Sequence, residues 1–125
     1  MKLKILIIED DEVSQIFLTE IVESISREIL ITSRGLKGIE YCKNHSDIDL
    51  ILMDIKLPDL DGYEATKQIR STNKNVIIIA QTANAMNADR KKAINAGCND
   101  YVSKPISKGE LLKKINQYFP IKILT

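Results

Sequence analysis

The chain has 125 residues, with 18 Lys and Arg against 17 Asp and Glu, which gives a formal net charge of +1. This length is typical of one compact domain, so residues 1–125 are predicted to form a single domain. The near-neutral charge argues against direct binding to nucleic acid. The apolar runs are too short to span a membrane and the charged start is unlike a secretory signal, so we expect a cytoplasmic protein without membrane insertion.

Short apolar segments alternate with longer amphipathic segments along the whole chain. In order, the pattern predicts a strand at 3–8, a helix with an apolar stripe from Val13 to Ile25, a strand at 28–32, a helix at 35–44, a strand at 50–53, a helix at 62–71, a strand at 76–80, an Ala-rich helix at about 86–96, a strand at 100–103 and a last helix with apolar residues at 111–119. The strands are rich in Ile, Leu and Val with little polar alternation. Such strands are typical of a parallel sheet whose two faces are covered by helices.

This alternation predicts an α/β fold, a doubly wound sheet of five parallel strands in the flavodoxin-like order 2-1-3-4-5. In open sheets of this kind, ligands bind at the carboxyl ends of the strands where the strand order reverses. Here that place lies between the first and third strands.

Acidic residues follow both of these strands. Glu9, Asp10 and Asp11 end the first strand, and Asp54 ends the third. Two carboxylates about 4 Å apart repel by roughly 4 kcal/mol at an effective dielectric constant of 20, so such a cluster needs protons or a cation. Mg2+ suits it, because this ion prefers oxygen ligands and often completes its shell with phosphate. Taken singly, the acids at 9–12 would also suit a helix N-terminus, and Asp54 a solvated loop.

A hydroxyl and an ammonium follow the fourth and fifth strands. Thr82 and Lys104 would each be unremarkable alone, as a strand-end threonine and a surface lysine. Together with the acids they provide metal ligands, a carboxylate free to attack, and two groups able to bind phosphoryl oxygens.

Four segments carry a resemblance to a known family. They are IIEDDEVSQ at 7–15, MDIKLPDLDGYEAT at 53–66, TANAM at 82–86 and AGCNDYVSKP at 96–105. In this order they resemble the receiver domain of two-component response regulators, and most closely the receivers of hybrid histidine kinases. The resemblance extends from residue 5 to about residue 119.

The resemblance implies the roles of the acidic residues. Asp54 would be the phosphoacceptor and also a metal ligand. Asp10 would bind Mg2+ directly and Glu9 through water, and the backbone carbonyl of Lys56 would complete the protein's share of the metal shell.

The resemblance also implies how the domain switches. Thr82 would be the switch hydroxyl, Lys104 the cation that binds the phosphoryl group, and Tyr101 the aromatic residue that changes rotamer. Lys56 and Asn84 would tune the rate of dephosphorylation. A cis peptide bond is implied before Pro105.

By the same resemblance, the partners would be a sensor histidine kinase or a histidine phosphotransfer domain. The chain would be a signalling phosphoacceptor that catalyses only its own phosphotransfer and dephosphorylation, alone or within a membrane-anchored hybrid kinase. Its readout face, and the face for a homodimer, would be formed by the fourth helix, fifth strand and fifth helix.

Two alternatives remain at this stage. A Mg2+-dependent phosphohydrolase with an aspartate nucleophile generally needs a second acid two residues later, where this chain has Lys56. Such enzymes also usually carry a cap for substrate selection, which this length does not accommodate. An interaction module independent of phosphorylation would normally have lost the acceptor, the acid pair or the lysine, and all are present here.

Overall fold

The computed structural model describes residues 2–83 and 87–120, with the side chains of residues 87 and 88 excepted. The elements in chain order are β1 Leu3–Ile8, α1 Glu12–Val22, β2 Ser26–Thr32, α2 Gly35–Asn44, β3 Leu50–Asp54, α3 Gly62–Thr72, β4 Ile77–Thr82, α4 Asn87–Ala96, β5 Asp100–Ser103 and α5 Lys108–Tyr118. One turn of 3-10 helix, Glu23–Ile25, follows α1. Asn84 and Met86, named in the sequence predictions, lie outside the described residues.

The five strands are parallel and form one sheet in the order β2-β1-β3-β4-β5, which confirms the predicted topology. Strand boundaries differ from the predictions where backbone pairing continues past the apolar residues. β4 extends to Thr82 because Gln81 pairs in register with Asp54 of β3 and Thr82 with Ser103 of β5. The ends of β3 and β4 therefore carry polar residues within the sheet itself.

Two apolar cores cover the two faces of the sheet. Leu52 of β3, Ile79 of β4 and Val102 of β5 belong to the core that α1 and α5 cover. Met53 and Ala80, which follow Leu52 and Ile79 in their strands, belong to the core beneath α2, α3 and α4. Because successive strand residues point to opposite faces, this division fixes the face of every side chain at the strand ends.

The apolar stripe of α1 is only partly buried. Leu18, Ile21 and Val22 are in the core, whereas Val13 is 74% exposed, Ile16 56% and Phe17 42%. The predicted apolar stripe is thus present, but only its second half packs into the core.

The loops at the carboxyl edge of the sheet are held by short polar contacts. Asp11 and Asp61 cap α1 and α3, their carboxylates accepting hydrogen bonds from the backbone N–H groups of Ser14 and Tyr63. The cis peptide bond between Lys104 and Pro105 is present as predicted.

Within the described ranges, no helix has the length and apolar character needed to cross a membrane.

Gly62 allows the β3–α3 loop to fold back closely against the end of β3. A β-carbon at position 62 would overlap the carbonyl oxygen of Asp54 and lie 2.7 Å from the α-carbon of Ile55. The absence of a side chain there therefore lets α3 begin directly beside Asp54.

Candidate phosphoryl-transfer site at the carboxyl edge of the sheet

The candidate site is a row of polar side chains on the α1/α5 face, one step beyond the apolar core. Asp54 follows Leu52 on this face of β3, and Gln81 follows Ile79 on the same face of β4. Glu9 comes directly after β1, the strand that neighbours β3. Sequence-distant segments thus meet at one edge, as the predicted topology requires.

Lys104 reaches into this row from the segment after β5. Its Nζ atom lies 3.3 Å from Oδ1 of Asp54 and 3.4 Å from Oε1 of Glu9. Glu9 is fully buried, Asp54 is 3% exposed, and the Lys104 side chain is 31% exposed. One ammonium is therefore shared between two buried carboxylates, while part of its side chain still contacts solvent.

Each of the two carboxylates also accepts a hydrogen bond from a nearby backbone N–H group. Oε2 of Glu9 accepts a hydrogen bond from the N–H of Asp11 at 3.0 Å, and Oδ1 of Asp54 accepts one from the N–H of Lys56 at 3.3 Å. Oε1 of Glu9 is buried without a hydrogen-bond donor among the described residues, because the approach of Lys104 is an ion pair and not a hydrogen bond. This oxygen is therefore paired with the Lys104 ammonium by charge alone.

Three carboxylates offer a set of oxygen ligands. One carboxylate oxygen from each of Glu9, Asp10 and Asp54 lies within 4.8 Å of the others, and Asp10 is exposed at the rim. These carboxylate oxygens together fit a hard divalent cation such as Mg2+.

Burial dominates the electrostatics of the acids. It raises the pKa of Glu9 from 4.5 to about 7, with repulsion from Asp54 adding to the increase and Lys104 opposing it. Burial likewise raises the pKa of Asp54, again against the effect of Lys104. For Lys104, burial lowers the pKa, but the two carboxylates outweigh it and the net pKa is raised. The ammonium is therefore held firmly in its charged form.

A cavity of about 270 Å³ opens beside Asp54. Among the residues that line it are Lys56, Gln81, Thr82 and Lys104. Thr82 is 8% exposed, and its backbone carbonyl accepts a hydrogen bond from the N–H of Lys104 at 2.8 Å. Thr82, Lys104 and Asp54, which the sequence analysis placed in one site, therefore line the same cavity.

Tyr101 is half-buried on the face of β5 that is turned toward the α2/α3/α4 core. Its ring packs against the core beneath α4, and Nζ of Lys114 lies 5.5 Å from the ring centroid. Lys114 also donates to Oδ1 of Asp100 at 3.1 Å. This tyrosine therefore contacts both the core beneath α4 and Lys114 of α5.

Lys56 is exposed at the rim and lines the cavity.

Cys42 and Cys98 are buried in the α2/α3/α4 core, and His45 contacts Lys4 with 3.1 Å between Nδ1 and Nζ. None of these three residues belongs to the site.

Sequence reasoning assigned no role to Gln81. It is fully buried in the row of site side chains and lines the same cavity as Asp54 and Lys104. The signal was present in the sequence, because a glutamine immediately before Thr82 interrupts a strand that is otherwise apolar.

Comparisons with known proteins give one family. Residues 5–116 match the family model of the response regulator receiver domain. The chain is 41% identical over 127 residues to hybrid signal transduction histidine kinase G of Dictyostelium discoideum, a match that covers 98% of this chain but only 4% of that protein. It is 34% identical over 120 residues to the polar-differentiation response regulator DivK of Brucella anthropi, covering 94% of this chain and 97% of that one.

Solved structures agree with this result. The receiver domain of the sensor histidine kinase PA1611 from Pseudomonas aeruginosa, which has a magnesium ion coordinated in its active site cleft, is 34% identical, with a TM-score of 0.86 and coverage of 97% of this chain and 100% of that one. A chain in the co-crystal structure of the Saccharomyces cerevisiae histidine phosphotransfer signaling protein Ypd1 with the receiver domain of its downstream response regulator Ssk1 is 33% identical. Its TM-score is 0.89, with coverage of 98% of this chain and 92% of that one.

Proposed function

Because the chain belongs to the response regulator receiver domain family, we propose that Asp54 is its phosphoacceptor and takes a phosphoryl group from a phosphohistidine. One observation carries this assignment. Asp54 is a buried carboxylate at a strand end, 3.3 Å from the ammonium of Lys104 and within a cluster of oxygen ligands.

The transfer exchanges one bond to phosphorus for another. An oxygen of the Asp54 carboxylate attacks the phosphorus in line, the P–N bond to the donor imidazole breaks, and its electron pair leaves on the imidazole nitrogen. The product is an aspartyl phosphate. Lys104 is held in its charged form beside Asp54, so it can pair with the phosphoryl oxygens as their charge shifts.

The residues proposed to hold Mg2+ are Glu9, Asp10, Asp54 and the backbone carbonyl of Lys56. The clustering of one oxygen from each of the three carboxylates supports this set. When bound, the ion supplies positive charge that offsets the phosphoryl oxygens and the repulsion among the acids. Of the three carboxylates, Asp10 is the exposed one and is accessible from solvent.

Phosphorylation would switch the domain through Thr82, Lys104 and Tyr101. The new oxygens attract the Thr82 hydroxyl and the Lys104 ammonium, and the movement of Thr82 makes room into which Tyr101 turns. A charge-assisted hydrogen bond contributes about 1.5 to 3 kcal/mol, so two contribute about 3 to 6. This range includes the roughly 5.5 kcal/mol that moves a two-state equilibrium from 1:99 to 99:1.

The direct test is phosphorylation by a small donor. Wild-type protein incubated with Mg2+ and acetyl phosphate should gain one phosphoryl group by intact mass, and Asp54→Asn should gain none. Equal labelling of Asp54→Asn and wild type would contradict the assignment, as would the absence of labelling in wild type.

We further propose that the chain is a signalling phosphoacceptor and not a phosphohydrolase for free esters. Lys56 stands two residues after Asp54, where a phosphohydrolase would use an acid. No multiple turnover of p-nitrophenyl phosphate is therefore expected, and sustained release of p-nitrophenol that Asp54→Asn abolishes would contradict this view. Dephosphorylation of the protein itself would be tuned by Lys56 and by Asn84, which lies outside the described residues.

The phosphohistidine donor would be a histidine kinase or a histidine phosphotransfer protein that docks on the exposed half of α1. The exposed side chains of Val13 and Phe17 line a groove of about 350 Å³ that also includes Pro105 and Ile106. Lys104 lines both this groove and the cavity beside Asp54. An apolar helical surface seated there would therefore bring its histidine to the acceptor.

Docking and chemistry are separated by a pair of variants. Phe17→Ala should slow transfer from a phosphorylated histidine phosphotransfer protein and leave labelling by acetyl phosphate unchanged. Ile94→Ala is the control, because Ile94 is 46% exposed on α4, on the opposite side of the sheet. A Phe17→Ala variant that accepts from the protein donor at the wild-type rate would contradict this docking surface.

The readout and a homodimer are proposed for the α4/β5/α5 face. Tyr101 and Lys114 lie at the β5–α5 junction, where a turn of the tyrosine ring would alter the surface. Sedimentation of the protein with and without phosphorylation tests the homodimer, and an unchanged monomer in both states would contradict it. The Dictyostelium relative is a hybrid histidine kinase of which this chain covers only 4%. We therefore also propose that this sequence acts within a hybrid kinase.

A further inference from the structure

Gln81 carries a buried carboxamide that has no hydrogen-bond partner among the described residues. The residue has no exposed surface, and neither Oε1 nor Nε2 has a partner in the part of the chain that the structure describes. Buried side-chain amides are nearly always paired, and leaving both ends unpaired is costly. A partner supplied by the neighbouring site would offset this cost.

The position of Gln81 indicates where such a partner would come from. It pairs in register with Asp54, and both side chains lie on the α1/α5 face. It also lines the cavity shared by Asp54 and Lys104. Deeper in the sheet, the preceding residue on this face is Ile79 in the apolar core, so the carboxamide lies at the boundary between core and site.

The chemistry of the neighbouring groups selects one partner. Lys104 offers three donors and no acceptor, and in the resting state its ammonium faces the carboxylates of Asp54 and Glu9. When the negative charge moves from the Asp54 carboxylate to phosphoryl oxygens, the ammonium must turn toward them. The side-chain carbonyl of Gln81 is a buried acceptor, and Gln81 lines the same cavity as Lys104.

Resting on the proposed phosphoacceptor function, we propose that Gln81 is a positioning residue for phosphoryl transfer. Its side-chain carbonyl accepts a hydrogen bond from Lys104 when that ammonium turns to the phosphoryl group. Gln81 thereby fixes the direction of the cation without contacting the reacting atoms. A hydrogen bond to a charged donor is strong enough to change the transfer rate by about tenfold or more.

A purely structural role predicts the opposite effect on stability. If Gln81 served only for packing, its replacement would make the protein less stable. If its amide is unpaired, replacement by an apolar side chain of similar length removes a desolvation cost and makes the protein more stable. Gln81→Met should therefore unfold at a higher urea concentration than wild type while accepting phosphate more slowly. Ile79→Met is the matched control, one step deeper on the same face of the same strand, and should not alter the rate of phosphorylation.

The rates are measured with acetyl phosphate and Mg2+, by intact mass over time, in a cycle with Lys104→Met. We expect Gln81→Met to slow phosphorylation by about tenfold in the wild-type background and by less than about twofold in the Lys104→Met background. The same tenfold effect in both backgrounds would overturn the action through Lys104. If Gln81→Met is phosphorylated at the wild-type rate, or is less stable than wild type, the proposed role of Gln81 is overturned. The assignment of Asp54 as phosphoacceptor is not affected by either result. A wild-type chain that gains no phosphate would overturn the phosphoacceptor assignment itself and this inference with it.

Discussion

Replacement of Glu9 with glutamine should stabilise the metal-free protein at neutral and alkaline pH. Glu9 is fully buried, one of its oxygens has no hydrogen-bond donor among the described residues, and its pKa is raised from 4.5 to about 7. Because the folded state holds the proton more tightly than the unfolded chain, it gains stability from protonation at low pH. That gain is fully present below about pH 4.5 and is lost as the pH rises through 7.

The difference between the two pKa values sets the size of the effect. Each pKa unit corresponds to about 1.4 kcal/mol, so wild type should lose about 3 kcal/mol of unfolding free energy over this range through Glu9. Glutamine has no charge to bury and should lose much less. Mg2+ at 100 times its dissociation constant should restore about 2.7 kcal/mol to wild type at pH 8. It should restore less to Glu9→Gln, which lacks one carboxylate.

Urea unfolding in EDTA, followed by circular dichroism from pH 4.5 to 8, measures this difference. Circular dichroism suits the chain because it contains no Trp. Glu20→Gln on the exposed surface of α1 is the control and should follow wild type. If wild type and Glu9→Gln show parallel pH profiles, the burial of an ionised Glu9 does not cost what the geometry implies, and the reasoning is refuted.

Three further substitutions test how the surroundings of the site are held. Asp59→Ala removes the carboxylate that accepts hydrogen bonds from the first two N–H groups of α2, and urea unfolding should show a loss of about 1 kcal/mol. Gly62→Ala places a β-carbon against the carbonyl oxygen of Asp54, which should cost about 1 to 3 kcal/mol in urea unfolding and slow labelling by acetyl phosphate. Lys114→Ala removes the ammonium 5.5 Å from the Tyr101 ring centroid, so NMR signals of that ring should shift before phosphorylation. Unchanged stability in the first two variants, or unchanged ring signals in the third, would contradict the contacts described.

The strand order could be predicted because the buried strands are apolar without alternation and the helices between them are long enough to cross over. The ends of elements were harder, because backbone pairing rather than side-chain polarity decides where a strand stops. Gln81 and Thr82 are polar, yet both pair within β4 because β3 and β5 continue beside them. Apolar content alone would have ended that strand at Ala80.

The meeting of Glu9, Asp54 and Lys104 could also be predicted, since carboxyl ends of neighbouring parallel strands share an edge. Their exact partners could not. That Lys104 lies between two buried carboxylates depends on side-chain reach, and that Asp59 holds the start of α2 depends on a loop contact across 24 residues of sequence. Neither contact produces a repeating pattern of residues from which it could be predicted.

The exposed half of α1 shows why an apolar stripe cannot be assigned to the core from its spacing alone. Spacing fixes which residues share a helix face, but burial depends on what packs against each turn. Leu18, Ile21 and Val22 meet the sheet and α5, whereas Val13 and Phe17 lie on the first turns of the helix, beside the site edge. A helix packed over those turns from within the chain would cover the approach to Lys104, which lines the same groove. The exposed apolar surface and the accessible site are therefore consequences of the same packing, which fits the proposed transfer of a phosphoryl group from a docked protein.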